Sequence, residues 1–147
     1  MIRALAIDDE PLALRQIKTY IERIEFLTLA ATFNSAVEAQ RWLQENEVDL
    51  IFVDINMPDL NGLDFVRSLV GQKMVVFTTA YSEYAIESYK LNAVDYLLKP
   101  ISFSDFLRAA NKCKHHHELL QTAAAQPAVV AATEQETDDE ADLTVEN

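Results

Sequence analysis

Leu50-Ile51-Phe52-Val53-Asp54-Ile55-Asn56-Met57-Pro58 is the stretch on which the fold turns. Four consecutive apolar residues, two of them β-branched, predict a strand buried on both faces. The run ends on an acid, after which Asn56, Pro58, Asp59, Asn61 and Gly62 supply the residues of a loop. Asp54 then has two readings. It is a strand-terminal acid capping a turn, or a carboxylate delivered to a strand end for chemistry, where an unpaired charge is costly.

Working outward, Arg3–Ile7 is a short apolar strand that breaks at Asp8-Asp9-Glu10-Pro11. Proline favours the first turn of a helix and acids there complement its dipole, so a helix follows through Leu14, Ile17, Tyr20, Ile21 and Ile24. Leu27–Phe33 is a second strand. Ser35 and Glu38 have the spacing of a capping box and open a helix carrying Val37, Trp42 and Leu43. Asp49–Asp54 is the third strand. A short helix covers Leu63–Leu69 and is stopped by Gly71; Met74–Thr79 is strand four. Ser82–Leu91 is a helix of mixed character, Asp95–Leu98 a fifth strand, and Ser102 caps a last helix to about Leu120. Five strands alternating with five helices predict a doubly wound α/β fold with a five-stranded parallel sheet.

The 147 residues carry a net charge of −12, unevenly spread. Seven of the 24 acids, and no Lys or Arg, fall in 123–147; the remaining 17 acids face 12 basic residues, about −5 for the rest. That excludes the basic stripe of a nucleic-acid binder. No apolar run reaches the ~20 residues of a bilayer span, no secretory leader precedes the first strand, and the single Cys113 fits a reducing, cytoplasmic setting. With two glycines in the chain, neither a dinucleotide fingerprint nor a Walker-type loop is present. The expected organisation is a folded domain over 1–121 and an acidic flexible linker or tail over 122–147, with too little large apolar surface to order itself.

Strand one ends at Asp8 and Asp9, strand three at Asp54, strand four at Thr78 and Thr79, and strand five at Lys99. In a parallel sheet these ends share one edge. Three carboxylates cannot all stay ionised close together without a cation. All-oxygen donors favour Mg²⁺, which takes one or two carboxylates, waters and a phosphate. The plain alternative is an acid cluster neutralised by Lys99 alone.

Asp8-Asp9, Asp54 followed by Pro58 and Gly62, Thr79-Ala80, and Tyr96 three residues before Lys99-Pro100 together resemble the receiver domain of bacterial two-component response regulators. The resemblance covers about four fifths of the chain, and every hallmark position is filled. Phe77 to Ala85 and Asp95 to Pro100 resemble, more narrowly, receivers of LytTR-class transcription regulators. The resemblance implies a flavodoxin-like fold in which Asp54 takes a phosphoryl group from a sensor histidine kinase. It implies Mg²⁺ held by Asp9, Asp54 and the Asn56 backbone carbonyl, with Asp8 assisting through a water. Lys99 is implied as the second cation, on a cis Lys99-Pro100 peptide, and Thr79 as a hydroxyl donor to the phosphoryl group. Tyr96 is either a half-buried strand aromatic or, as the family implies, a switch that swings inward when Thr79 moves. The switch would repack the face of helix four, strand five and helix five, where phosphorylated receivers form homodimers. DNA would be reached only through an output domain that is not among these 147 residues.

A stand-alone receiver acting by docking to a partner is the nearest alternative. A Mg²⁺-dependent aspartyl-phosphate phosphatase of the haloacid dehalogenase type is a weaker one, because such enzymes carry a second Asp two residues after the nucleophile and position 56 is Asn. The expected class is therefore a signalling domain and not an enzyme, with at most slow self-dephosphorylation. Tyr81, two residues after Thr79, is expected beside the phosphoryl group, where its ring would limit water access. His115-His116-His117 point about 100° apart on a helix, which suits a polar helix end better than a chelate.

Overall fold

The computed structural model describes residues 1–125 and contains five strands and five α-helices. In chain order these are β1 (Ile2–Ile7), α1 (Pro11–Glu22), β2 (Leu27–Phe33), α2 (Ala36–Leu43), β3 (Leu50–Asp54), α3 (Gly62–Arg67), β4 (Met74–Thr79), α4 (Ala85–Lys90), β5 (Asp95–Leu98) and α5 (Phe103–Ala125). The sheet order is β2-β1-β3-β4-β5 with every pair parallel. The expected doubly wound, flavodoxin-like topology is what forms. Its order reverses between β1 and β3, the crevice where such sheets place their ligands.

The β3 residues alternate between two cores, as period two requires. Leu50 and Phe52 face one side with Ile17, Ile21 and Phe106; Ile51 and Val53 face the other with Leu5, Ile7 and Phe65. The first core belongs to α1 and α5. Phe52 stacks on Phe106 with ring centroids 4.9 Å apart, and the Tyr20 hydroxyl donates to the Ile101 carbonyl at 2.8 Å. Cys113 is fully buried in the same core, where burial first and the charge of Asp95 second push its thiol up to about 12. Desolvation disfavours a thiolate, so this cysteine packs as a small apolar residue.

Helix starts follow the sequence signals. Pro11 occupies the first turn of α1, Ser35 Oγ accepts from the Glu38 N–H, and Ser102 Oγ accepts from the Asp105 N–H. Two stretches differ from the expectation. Ser82–Tyr84 forms a 3-10 turn without a side-chain cap, so the α-helical part of that segment is only Ala85–Lys90. The last helix runs to Ala125, so the tail expected from 122 does not begin there. Thr122 is carried into the helix by Ala123, Ala124 and Ala125, the residue type with the highest helix propensity. His115-His116-His117 consequently lie within α5 and not at its C-terminal end. The rest of the expected tail, 126–147, lies outside the described residues.

The described residues fall into two units, Met1–Lys114, which holds the whole sheet, and the helical residues 115–125. Among the described residues no helix is long and apolar enough to cross a membrane.

Candidate functional site

Parallel pairing carries the strand ends to one edge. Asp54 is in register with Thr78, Thr79 with Leu98, and the Lys99 N–H donates to the Thr79 carbonyl at 2.7 Å. Asp8 continues β1, its N–H donating to the Phe33 carbonyl at 3.1 Å. The sheet thus delivers Asp8, Asp9, Asp54, Thr79 and Lys99 to one place. Carboxylate oxygens of Asp8, Asp9 and Asp54 all lie within 4.8 Å of one another, and among the described residues no other cluster of acids, histidines or cysteine is so placed. Asp9 sits at the rim, whereas Asp8 is 0% and Asp54 3% exposed.

The loop after β3 is closed by Gly62. Its N–H donates to the Ile55 carbonyl at 2.8 Å, and a Cβ at this position would collide with the Asp54 carbonyl oxygen and lie 2.9 Å from the Ile55 Cα. No side chain fits there. Asp59 ties the same loop to the start of α2, its Oδ2 accepting from the Ser35 hydroxyl at 2.5 Å and from the Val37 N–H at 3.3 Å. Ser35 therefore caps α2 and anchors the loop at once. The Lys99-Pro100 peptide is cis, as the family resemblance implies.

One ammonium serves three acids. Lys99 Nζ lies 2.9 Å from Asp8 Oδ2, 2.9 Å from Glu10 Oε1 and 3.4 Å from Asp54 Oδ2. Burial would lower its pKa, but the close contacts with Asp8 and Glu10 and the charges of Asp8 and Asp54 outweigh that and hold it above the usual lysine value. Asp54 is raised as well, from a different cause. Burial first and the charge of Asp8 second raise its carboxyl from 3.8 to about 7, against the lowering effect of Lys99 and the Asn56 N–H. The site therefore holds more negative charge than Lys99 neutralises.

Asp8 Oδ2 is buried, and although Lys99 is close, no donor makes a well-aligned hydrogen bond to it. A buried carboxylate oxygen whose one near cation is an ammonium shared with two other acids, beside two more carboxylates, suits a hard divalent cation such as Mg²⁺. The residues present fit that ion.

Thr79 is fully buried, and its hydroxyl is engaged on both sides. It donates to Asn56 Oδ1 at 2.9 Å and accepts from the Tyr81 N–H at 3.1 Å. Tyr96 is half-buried on β5 and its hydroxyl donates to the Tyr81 carbonyl at 2.6 Å. Tyr81 itself is 52% exposed, with its ring edge-on to Tyr84.

Glu10, Tyr84 and the Asn56 side chain belong to this site in roles that the sequence does not announce. Glu10 reaches Lys99 across 89 positions of sequence, and Tyr84 accepts from Asn56 Nδ2 at 3.3 Å across 28. Only the acid run Asp8-Asp9-Glu10 hints at the first. Nothing local marks the second.

Comparison with known proteins agrees with this geometry. The response regulator receiver domain family matches residues 4–111. The transcriptional regulatory protein YpdB of Escherichia coli O6:H1 is 30% identical over 139 residues, covering 92% of this chain and 57% of that protein. The sensory transduction protein LytT of Bacillus anthracis is 32% identical over 117 residues, covering 78% of this chain and 48% of that one. The chain thus spans about half the length of such relatives. Among solved structures, the response regulatory domain of MrkE from Klebsiella pneumoniae superposes with a TM-score of 0.75 at 30% identity, covering 80% of this chain and 99% of that one. The receiver domain of AraT from Geobacillus stearothermophilus gives 0.74, also at 30%, covering 82% and 98%.

Proposed function

The chain belongs to the response regulator receiver domain family, a family of signalling domains, and we propose that Asp54 is its phosphoacceptor. The observation that carries this reading is the convergence of Asp8, Asp9 and Asp54 within 4.8 Å, with Lys99 and Thr79 at the same strand edge. The donor is a phosphohistidine on a sensor histidine kinase. An Asp54 carboxylate oxygen attacks phosphorus, the P–N bond breaks with its electron pair returning to the imidazole, and an acyl phosphate remains on Asp54.

Such transfers need positioning and charge neutralisation more than covalent chemistry from the protein. Asp9, Asp54 and the Asn56 backbone carbonyl, with Asp8 behind them, would hold Mg²⁺. Bound there, the ion neutralises the carboxylates and orients the phosphoryl oxygens. Lys99 leaves Glu10 to meet a phosphoryl oxygen, and Thr79 turns its hydroxyl to another. Burial of Asp54 keeps bulk water from the acyl phosphate, and Tyr81 screens the open side.

The signal leaves through the β4–β5 edge. Tyr96 is joined to Tyr81, and Tyr81 to Thr79, by hydrogen bonds, so a turn of Thr79 changes what holds Tyr96. A cavity of about 160 Å³ lined by Ser88, Tyr89, Val94, Asp95, Tyr96 and Lys112 leaves this face room to repack. Phosphate shifts the packing by binding one arrangement more tightly than the other. The repacked face of α4, β5 and α5 favours a homodimer. DNA is reached through an output domain outside these residues, which accords with a chain about half as long as relatives called transcriptional regulatory proteins.

The test is incubation with Mg²⁺ and acetyl phosphate, followed by intact mass and size measurement. A mass gain of one phosphoryl group in the wild type, lost in Asp54→Asn, is the expected result. A gain that survives Asp54→Asn, or none in the wild type, would overturn the assignment.

A further inference from the structure

The Thr79 hydroxyl has a single hydrogen, and it is already in use. That hydrogen goes to Asn56 Oδ1 at 2.9 Å, while the oxygen accepts from the Tyr81 N–H at 3.1 Å. Thr79 is fully buried, so water has no ready access to replace either partner. A phosphoryl oxygen on Asp54 asks for the same hydrogen. It must therefore displace the Asn56 side chain.

Asn56 does not stand alone. Its Nδ2 donates to the Tyr84 hydroxyl at 3.3 Å, which fixes the amide with its oxygen toward Thr79. Tyr84 ends the 3-10 turn before α4, and its carbonyl accepts from the Ser88 hydroxyl at 2.9 Å. Ser88 is the one buried side chain of α4. A continuous run of hydrogen bonds thus joins the Thr79 hydroxyl to the start of α4 by a route separate from Tyr81 and Tyr96.

We propose that the Asn56 side chain, oriented by Tyr84, is a latch on Thr79: it holds the hydroxyl in the resting arrangement and competes with the phosphoryl group for it. This rests on Asp54 being the phosphoacceptor. Asn56 and Tyr84 are positioning residues that set how readily Thr79 turns, and the Asn56 side chain acts apart from the backbone carbonyl assigned to the metal. Asn56 is exposed, so when displaced its amide returns to water at little cost, whereas a buried Thr79 hydroxyl deprived of an acceptor does not. Removing the latch therefore weakens the resting arrangement alone. A hydrogen bond of ordinary net strength corresponds to about a fivefold shift in that equilibrium.

The experiment is a titration of the Mg²⁺-loaded protein with beryllofluoride, a phosphoryl mimic, followed through the Tyr81 backbone amide by ¹⁵N NMR. Tyr81 N–H is bonded to the Thr79 oxygen and reports its turn directly. The expected half-point falls about fivefold in Asn56→Ala. It falls less, in the same direction, in Tyr84→Phe. In a Thr79→Ala background, followed instead through the residue-56 backbone amide that donates to Asp54 Oδ1 at 3.3 Å, Asn56→Ala is expected to have no further effect, since the hydroxyl it restrains is gone. A half-point unchanged in Asn56→Ala, or a shift of the same size in the Thr79→Ala background, would overturn the latch alone. A wild type that gives no more response than Asp54→Asn would overturn the phosphoacceptor reading and the latch with it.

Discussion

Helices α4 and α5 lie on opposite faces of the sheet and are held in very different ways. Within its first three turns α5 buries Phe106, Ala109, Ala110 and Cys113 completely. α4 has six residues, buries only Ser88, and leaves Ile86 68% and Tyr89 81% exposed. One helix is fastened by apolar area and the other by a few hydrogen bonds. The contrast fits a switch. A rearrangement triggered by one hydroxyl group can move only an element whose attachment is of similar size, while the frame that defines the site must not move with it.

Cutting into the frame gives the largest effect. Phe106→Ala removes the ring stacked on Phe52 and is expected to destabilise the domain by about 3–5 kcal/mol in denaturant unfolding. Next comes Asp54→Asn, with the opposite sign. Asp54 has a folded pKa of about 7 against 3.8 ordinarily, so between those values the folded chain binds the extra proton. Its contribution to stability is fully present below the lower value and is lost as pH rises through the higher one. Metal-free Asp54→Asn is therefore expected to be more stable than wild type at pH 8, by at most about 4 kcal/mol. The gap should close as pH falls below 4, and unfolding curves at both ends check it.

Gly62→Ala forces a methyl against the Asp54 carbonyl and is expected to cost about 1–3 kcal/mol while also slowing phosphorylation from acetyl phosphate. The smallest effect belongs to α4. Ile86→Ala and Tyr89→Ala are expected to change stability by less than about 0.5 kcal/mol each, yet to weaken any phosphorylation-dependent dimer seen by sedimentation. A large stability loss in either would mean that α4 is part of the frame after all.

The difference between these regions also separates what is legible in the sequence from what is not. β3 is plain because four apolar residues and an acid leave few alternatives, and in a parallel sheet the remaining strand ends then have to meet it. The five expected site side chains do converge at that edge. The α4 segment is harder. Ser82–Leu91 carries helical spacing, and nothing local in it announces a 3-10 first turn or the contact its Tyr84 makes with Asn56, 28 positions away. Glu10 escapes for the same reason: its partner Lys99 is distant in sequence, and an exposed glutamate before a proline looks like a helix start and nothing more. The end of α5 is misleading for a local reason. Ala123 to Ala125 are too small to build a core, which suggests a tail, although alanine favours helix most of all.

Cys113 turns the anchored helix into something that can be timed. It is the only cysteine of the chain and is fully buried, with its thiol raised to about 12. Closed, it offers an alkylating reagent neither access nor thiolate; opened, it has both. Labelling at saturating reagent then proceeds at the frequency with which this part of α5 lifts off the sheet, one modification per excursion. A single natural atom of sulfur is thus a stopwatch for the frame, and comparing its rate with and without a phosphoryl group on Asp54 measures how far the signal is felt on the side that should stand still.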